Sequence, residues 1–443
     1  MIRTSAALPI PLPIPLRAAA GSGRAAPPTG VCLLTGELPP DRGGVGDYTA
    51  RLADALAADG IRVGVLTGRR PGIPSRRLLG QYRVPVYGVV PGWDVRAWPL
   101  VRQALSRLGP RPLLHIQFQA GAFELGGSVH LLPSFIRATM PNARVVTTFH
   151  DFLVPYLFPK AGPLRLALNR YLARTSHAAI FTDLADLERA GPGVRGTVVP
   201  IGSNVDREVS TEPSRADVRR LLGATDETFL VGYFGFLNPS KGVPSLLEAI
   251  GLLAAQQPDC QVRLALIGAE TGVSNPTDLA QARAVHDAIE HDHLEERIVR
   301  TGYLPPPDLS ATLLACDALA LPFRDGASAR RGTLMAALAH GLPIVSTLPE
   351  RLPPVAGPAV VWLGTGPNAV GIRDGESILL VPPDDSAALA AALGQLATDP
   401  TLRARLAVGA QSVAARISWP ALATEMLRVY SSTFADRGAD TEP

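Results

Sequence analysis

The sequence predicts an α/β fold built from two Rossmann-like domains in tandem. Three observations lead there. Short apolar strands alternate with amphipathic helices along most of the chain. A glycine-rich loop (Gly43, Gly44, Gly46) separates the first strand from the first helix. The same strand–turn–helix pattern then restarts after a charged stretch, Asp206 to Asp226. A chain of 443 residues exceeds one ordinary core, and with 47% hydrophobic residues it has enough material for two.

Taken in order, residues 1–29 hold a Pro-x-Pro-x-Pro-x-Pro run (Pro9 to Pro15) in an apolar, arginine-dotted segment without acids. Alternating prolines oppose the uninterrupted apolar helix of a cleaved signal peptide, so this stretch reads as a disordered or polyproline-like leader. The first domain is expected over 30–205. Its opening strand is Gly30 to Thr35, followed by the glycine loop, a helix with Leu52, Ala55 and Leu56 at helical spacing, and the strand of IRVGVLTG. The glycines allow a backbone to approach a ligand closely, or they serve turn geometry alone. PLLHIQFQ (Pro112 to Gln119) is a strand ending in polar residues, and ARVVTTFHDF (Ala143 to Phe152) is another, ending in His150 and Asp151. Ligands of parallel α/β sheets gather at the carboxyl ends of strands, which makes His150 a general base or hydroxyl donor unless it is merely structural. Residues 159–174, with Lys160, Arg165, Arg170 and Arg174 among leucines and Tyr171, form a basic amphipathic helix. Such a helix packs on the core with a solvated basic edge, or lies on an anionic membrane surface as a peripheral contact. The strands AAIFTD and GTVVPIG close the domain near Asn204.

The second domain is expected over 206–419, opening with a charged linker to Asp226. FLVGYFGFL is its first strand, NPSKG a turn carrying Lys241, VPSLLEAIGLLAAQ a helix, and VRLALIG the next strand. An ammonium at a strand-to-helix turn can reach a phosphate cradled by the following helix. His286, His291 and His293 do not fall on one helix face and read as a solvated helix and turn rather than a metal site. After the Tyr303 loop comes the most distinctive stretch, Leu319 to Thr347: a buried strand, a polar loop with Arg330 and Arg331 adjacent, a small-residue helix from about Gly332, and a strand after Gly341. That arrangement aims a helix start and two guanidinium groups at one point, a setting that suits a phosphate, unless the stretch is an ordinary βαβ crossover whose arginines sit in solvent. The tail from Ser386 to about Phe434 is helical, broken at Trp419 and Pro420, which leaves a last helix of about 420–435.

Composition narrows the chemistry. A formal net charge of +3 leaves no nucleic-acid footprint. Cys32, Cys260 and Cys316 lie far apart in or beside apolar runs, as reduced core residues do, so a cytoplasmic protein is expected, with peripheral attachment to the inner face of a membrane as its variant. No apolar run approaches the ~20 residues that span a bilayer. Only two of the 42 basic residues are lysine, Lys160 and Lys241, which singles out each of them.

With these pieces in place, the chain from about Gly30 to Phe434 resembles the retaining, nucleotide-sugar-dependent glycosyltransferases of the GT-B fold, family 4. The matching features are Gly43-Gly44-Val45-Gly46, Thr148-Phe149-His150-Asp151, Gly235 followed by Lys241-Gly242, Leu266-Ile267-Gly268, Thr301-Gly302-Tyr303, and Ala339-His340-Gly341-Leu342-Pro343-Ile344-Val345. The resemblance implies two Rossmann-like domains with an interdomain cleft and C-terminal helices returning to the first domain. It implies His150 and Lys241 as the catalytic pair, Lys241 neutralising the departing diphosphate. It places Gly43, Gly44, Gly242 and the backbone near Tyr303 at the donor, and Gly46, Asp47, Tyr48, Gln119 and Asp151 near the acceptor. The donor would be a nucleotide sugar and the acceptor a glycan, a lipid-linked sugar or a small molecule, with no cofactor and no metal. The absence of an Asp-x-Asp motif suits that mode.

Two departures stand out. The family's paired glutamates fall on Ser328 and Ala336, and the arginine usually found beside the lysine motif gives way to Phe236 after Gly235. Arg330 and Arg331 are candidates to restore the positive charge, and Asp325 or Ser328 to hold a sugar hydroxyl. The missing carboxylates also admit a second reading, a degenerate member that binds nucleotide sugar or a partner protein without catalysis.

Overall fold

The computed structural model describes residues 27–41, 43–152, 162–208, 213–269, 276–350, 358–366 and 368–435. The Pro-rich leader up to residue 26, and Lys160 at the start of the basic helix, lie outside the described residues. Contacts divide the chain into two compact units. The first ends at Pro200 and regains Gly364–Gly366 and everything from Trp419; the second takes Ile201–Leu363 and Pro367–Ser418.

In the first unit the elements are β1 (Gly30–Thr35), α1 (Gly44–Ala58), β2 (Val63–Gly68), β3 (Arg76–Leu79), β4 (Val84–Val90), α2 (Ala97–Ser106), β5 (Pro112–Phe118), α3 (Leu132–Thr139), β6 (Arg144–Phe149), α4 (Gly162–Thr175), β7 (Ala178–Phe181), α5 (Leu184–Ala190) and β8 (Gly196–Val198). Their sheet runs β3-β4-β2-β1-β5-β6-β7-β8, parallel except where β3 meets β4. Strands β1, β2, β5 and β6 are buried along their whole length, as strands covered on both faces must be, which is why they read as continuous apolar runs. The half-exposed β3 has no such run and left no signal in the sequence. Successive connections leave β1 in opposite directions, towards β2 and then β5, so the β1/β5 boundary is the switch point of the sheet, where α/β folds open a crevice.

The second unit begins with α6 (Arg215–Leu221), where the sequence had suggested only a charged linker. Its N-terminus is a capping box, Ser214 with Asp217. Arg219, only 2% exposed, donates to Asp317 and to the carbonyls of Ala315, Thr225 and Thr228. The charge of Arg219 thus disguises a core position. There follow β9 (Thr228–Phe234), α7 (Val243–Gln256), β10 (Gln261–Ile267), α8 (Pro276–His291), β11 (Ile298–Gly302), α9 (Pro306–Ala315), β12 (Ala318–Leu321), α10 (Gly332–His340), β13 (Ile344–Thr347), a hairpin of β14 (Val360–Leu363) and β15 (Val370–Arg373), β16 (Leu379–Val381), α11 (Ser386–Thr398) and α12 (Pro400–Arg416). The sheet order is β11-β10-β9-β12-β13-β16, all parallel, with its switch point between β9 and β12. Finally α13 (Trp419–Ala435) returns to the first unit and packs on α1 and β6. The two sheets are two Rossmann-like halves, each with its own core.

Candidate active site

At the switch point of the second unit, Lys241 closes a one-turn 3-10 segment, Pro239–Lys241, between β9 and α7. The loops after β9 and β12 are stitched together, for the Arg324 N–H donates to the Ser240 carbonyl at 3.0 Å. Gly242 makes this possible: its φ is +66°, and a Cβ there would stand 1.9 Å from the Pro322 oxygen. Lys241 Nζ lies 5.0 Å above the centre of the Phe323 ring, and the Arg331 guanidinium lies over the same ring at 4.6 Å. Burial, with the charges of Arg331 and Arg330 behind it, pushes the Lys241 ammonium down to about 8. Asp325 takes hydrogen bonds from both arginines, from Arg330 at 3.2 Å and from Arg331. Two of these three neighbouring cations, Arg330 and Arg331, thus share the Asp325 carboxylate. Arg331 is also the N-cap of α10, yet no side chain caps that helix, and the Thr333 hydroxyl in its first turn is buried without a partner among the described residues. An uncapped helix start beside surplus positive charge is built for an anion.

Residues singled out by the sequence fall around this point to different degrees. Arg331 does not sit in solvent; its side chain is 11% exposed, against 27% for Arg330. Asp325, expected to hold a sugar hydroxyl, is engaged by the two arginines. Ser328 is half-buried, its carbonyl accepting from the Arg331 N–H, and Ala336 is fully buried on α10. Gly235 ends β9 with φ +142° and lies against Thr333, whereas Phe236, where the family arginine is missing, is exposed. Tyr303 is exposed in the loop after β11. His340, the last residue of α10, is structural: it is buried between the Ala336 carbonyl and the Ser310 hydroxyl.

The first unit places a different chemistry at its own switch point. Gln117 on β5 pairs in register with Thr35 on β1 and Thr148 on β6. Because side chains alternate along a strand, His115 and Gln117 share one face of β5 with Thr148 and His150 at the end of β6. His115 bridges Tyr430 of α13 and Thr148, each at 2.7 Å, and His150 Nε2 lies 2.9 Å from the Gln117 side-chain oxygen. The ring of His150 meets Tyr48 edge-on at 4.6 Å, and Tyr48 in turn meets Trp419 at 5.3 Å. Burial pushes both histidines down to about 3, so both are neutral at physiological pH.

The glycine loop carries a feature that the sequence reading missed. The Glu37 carboxylate accepts from the N–H groups of Val45 and Gly46, both at 3.0 Å, and so caps α1 from outside the helix. Gly43 is required for this approach, since a Cβ there would lie 2.3 Å from a Glu37 oxygen, while nothing stands within 4 Å of a Cβ on Gly44. Two residues expected at the acceptor are accounted for otherwise. Gly46 is buried with its amide given to Glu37, and Tyr48 is buried between His150 and Trp419. Asp47 on the exposed side of α1 has its carboxyl raised by burial and by Glu37, with Arg51 opposing. Gln119 and Asp151 are half-buried beyond the ends of β5 and β6.

On the basic helix, now α4, Arg170 donates to the Arg189 carbonyl and Arg174 to the Pro192 carbonyl. Both arginines finish the end of α5. Among the described residues no group of His, Cys, Asp and Glu could hold a metal ion, and no helix is long and apolar enough to cross a membrane.

Two family models match these two halves. One, described as "Glycosyl transferase 4-like domain", covers residues 43–202, and the other, "Glycosyl transferases group 1", covers 228–399. Solved structures with the same fold include sucrose-phosphate synthase from Thermosynechococcus elongatus, with a TM-score of 0.66, 20% identity and coverage of 92% of this chain and 99% of that one. Anabaena Alr3699/HepE in complex with UDP and glucose matches with a TM-score of 0.64 and 20% identity over 91% of this chain and 99% of that one. The chain belongs to the GT-B, family 4-like glycosyltransferases. Among its curated relatives is the D-inositol 3-phosphate glycosyltransferase of Stackebrandtia nassauensis, 31% identical over 57% of this chain and 52% of that protein. The match therefore spans about half the length of that relative. The enzyme of the same name from Saccharomonospora viridis is 26% identical over 89% of this chain and 90% of its own length.

Proposed function

We propose that the protein is a hexosyltransferase that moves a sugar from a nucleoside diphosphate sugar to a hydroxyl group of a glycan, lipid-linked or small-molecule acceptor, without a metal and with retention of configuration. The observation that carries this is the placement of Lys241 and Arg331 over one Phe323 ring beside the uncapped start of α10. When the bond between the sugar and the phosphate breaks, its electron pair goes to the diphosphate, and the new negative charge needs fixed partners already in position. Two half-buried cations, beside helix N–H groups that no described side chain caps, meet that need. Arg331 fills the role that the residue at Phe236 does not. The crystallised relative with bound UDP and glucose supports a nucleotide sugar as the partner.

In the first unit, His150 and the groups around it are the acceptor side of the proposal. A neutral imidazole with Nε2–H turned to Gln117 keeps Nδ1 as an acceptor, which suits a sugar or polyol hydroxyl. The names of the relatives make an inositol phosphate one acceptor to try.

The test is a thermal-shift panel of uridine, guanosine and adenosine diphosphates, followed by an assay for diphosphate release from the matching sugar donors. One nucleotide should stabilise the fold, and its hexose donor should turn over. Stabilisation without turnover of any hexose donor, in the presence of acceptors including inositol phosphate, would favour the non-catalytic binder that Ser328 and Ala336 suggest. No stabilisation by any of the three would remove the proposal altogether.

A further inference from the structure

Gln117 is a buried amide whose position makes no sense as packing alone. It is 0% exposed in the middle of the parallel sheet, in register with Thr35 and Thr148. Its oxygen lies 2.9 Å from His150 Nε2, while its own NH2 has no partner among the described residues. An unsatisfied buried donor costs stability, and an apolar side chain of the same length would avoid that cost. A residue that weakens the fold where it stands is retained for something other than the fold.

We infer that Gln117 is a positioning residue that fixes the tautomer and orientation of His150 for glycosyl transfer. An amide oxygen only accepts, so Nε2 must carry the imidazole proton and Nδ1 must keep its lone pair. The other groups around the ring complete the arrangement. Tyr48 of α1 holds one face edge-on, Trp419 of α13 backs Tyr48, and the backbone N–H of His150 is tied to the Phe118 carbonyl at 3.0 Å. Among the described residues no carboxylate bonds to His150. Among the described residues the titratable groups in contact around this seam are His115 on β5, itself neutral, Tyr48 on α1 and Tyr430 on α13, while Asp151 follows His150 along the chain and Asp186 on α5 accepts from the Phe152 N–H. A neutral acceptor beside the ring fixes it without drawing in a second proton, as a carboxylate in the same place would.

This inference rests on the proposed transfer reaction, and its test has an arm that does not. In protein labelled with nitrogen-15 at histidine, with His150→Gln used to assign the signal, the ring should show the Nε2–H form and remain neutral down to about pH 5. In Gln117→Met the ring should populate both tautomers, and the melting temperature should hold or rise. The same variant should lose about 10- to 100-fold in kcat/KM, as a reacting group out of place does, while nucleoside diphosphate affinity stays put because that site lies in the other unit. Gln117→Glu restores an acceptor but adds charge, so it should recover the single tautomer, lift the titration of His150 towards neutrality, and introduce an acid limb into the rate profile. An unchanged tautomer in Gln117→Met overturns the positioning role whatever the protein catalyses. So does wild-type kcat/KM in that variant, or an activity loss that merely follows a drop in melting temperature. A wild-type chain with no transfer activity defeats the function proposed above but leaves the nuclear magnetic resonance arm to decide the role of Gln117.

Discussion

The two switch points of this molecule occupy the same place in the same type of sheet and carry opposite chemistry. Beyond β9 and β12 stand Lys241, Arg330 and Arg331, with Asp325 between the two arginines, and a helix start that no side chain among the described residues caps. Beyond β1, β5 and β6 stand neutral imidazole, amide and aromatic groups, and the helix start is filled by Glu37. The free N–H groups that open a helix attract an anion in either unit. In the second unit no described side chain fills them; in the first the protein supplies the anion from its own chain. The difference matches a reaction that develops charge on one partner, the leaving diphosphate, and handles the other as a hydroxyl compound.

The largest effects should come from removing the charge in the second unit. Lys241→Ala should lower kcat/KM for the donor by about 100- to 1,000-fold, the range for loss of one group that stabilises developing charge, with little change in melting temperature because the ammonium is repelled by its neighbours. Arg331→Ala should weaken nucleoside diphosphate binding by about 10-fold or more, for a charge-assisted bond of ordinary strength. Arg330, whose side chain is more exposed than that of Arg331, should matter less. Calorimetric titration of the three variants with one nucleotide checks the order, and equal affinities for the Arg331 and Arg330 variants would break the contrast between them.

How much of this was legible in the sequence follows from what each residue reports. The buried strands β1, β5, β6 and β12 and the largely buried β9 and β10 showed as apolar runs, and Gly43, Lys241 and Arg331 lie in the loops that follow β1, β9 and β12. Elements with mixed faces did not show. Helix α6 was hidden by Arg219, whose charge is spent inside on Asp317 and three carbonyls. Strands β3 and β14 are short, partly exposed and paired antiparallel, so no periodicity stood out over so few residues. Within the site, the sequence pointed to Gln119 and Asp151 at the strand ends and passed over Gln117 and Glu37. Gln117 lies within the strand, where an amide is usually a packing accident. Glu37 reaches α1 from eight and nine residues away, a contact that no local pattern encodes. Tyr48, expected at the acceptor, is instead buried between His150 and Trp419, a packing that helix spacing alone does not reveal.

The proton count should separate the two sites as well. The free Lys241 ammonium titrates at about 8 because it is buried among like charges. A bound diphosphate supplies the missing countercharge and raises it, so binding is strongest while Lys241 is protonated. Affinity should be full below pH 8 and fall as pH rises through 8 towards the higher value of the complex, by up to about 10-fold per pH unit, with proton uptake on binding in that window. Affinity that stays constant from pH 7 to 9.5, or that rises with pH, would show that Lys241 does not contact the nucleotide. His150, held at about 3, should add no acid limb between pH 5 and 7. An acid limb in the wild-type rate that vanishes on replacing His150 would refute its neutral state.

The smallest effects lie in the loop that the first unit closes on itself, and they sharpen the comparison most finely. Glu37→Ala removes the acceptor of two N–H groups and should destabilise the first unit by about 0.5–2 kcal/mol, the usual range for a lost cap, whereas Glu37→Gln keeps an oxygen in place and should cost less. Gly43→Ala should resemble Glu37→Ala, because its Cβ would displace the same carboxylate. Gly44→Ala is the control: the new methyl group meets nothing within 4 Å, and a residue in the first turn of a helix gains slightly from the change. Its melting temperature should therefore be unchanged or a little higher. Any loss of transfer in Gly44→Ala must then come from a ligand that approaches the loop, and a shift in KM for acceptor rather than donor would assign that ligand. If Gly44→Ala matches the wild type in both, the open face of the loop carries no substrate, and the glycines serve only to admit Glu37.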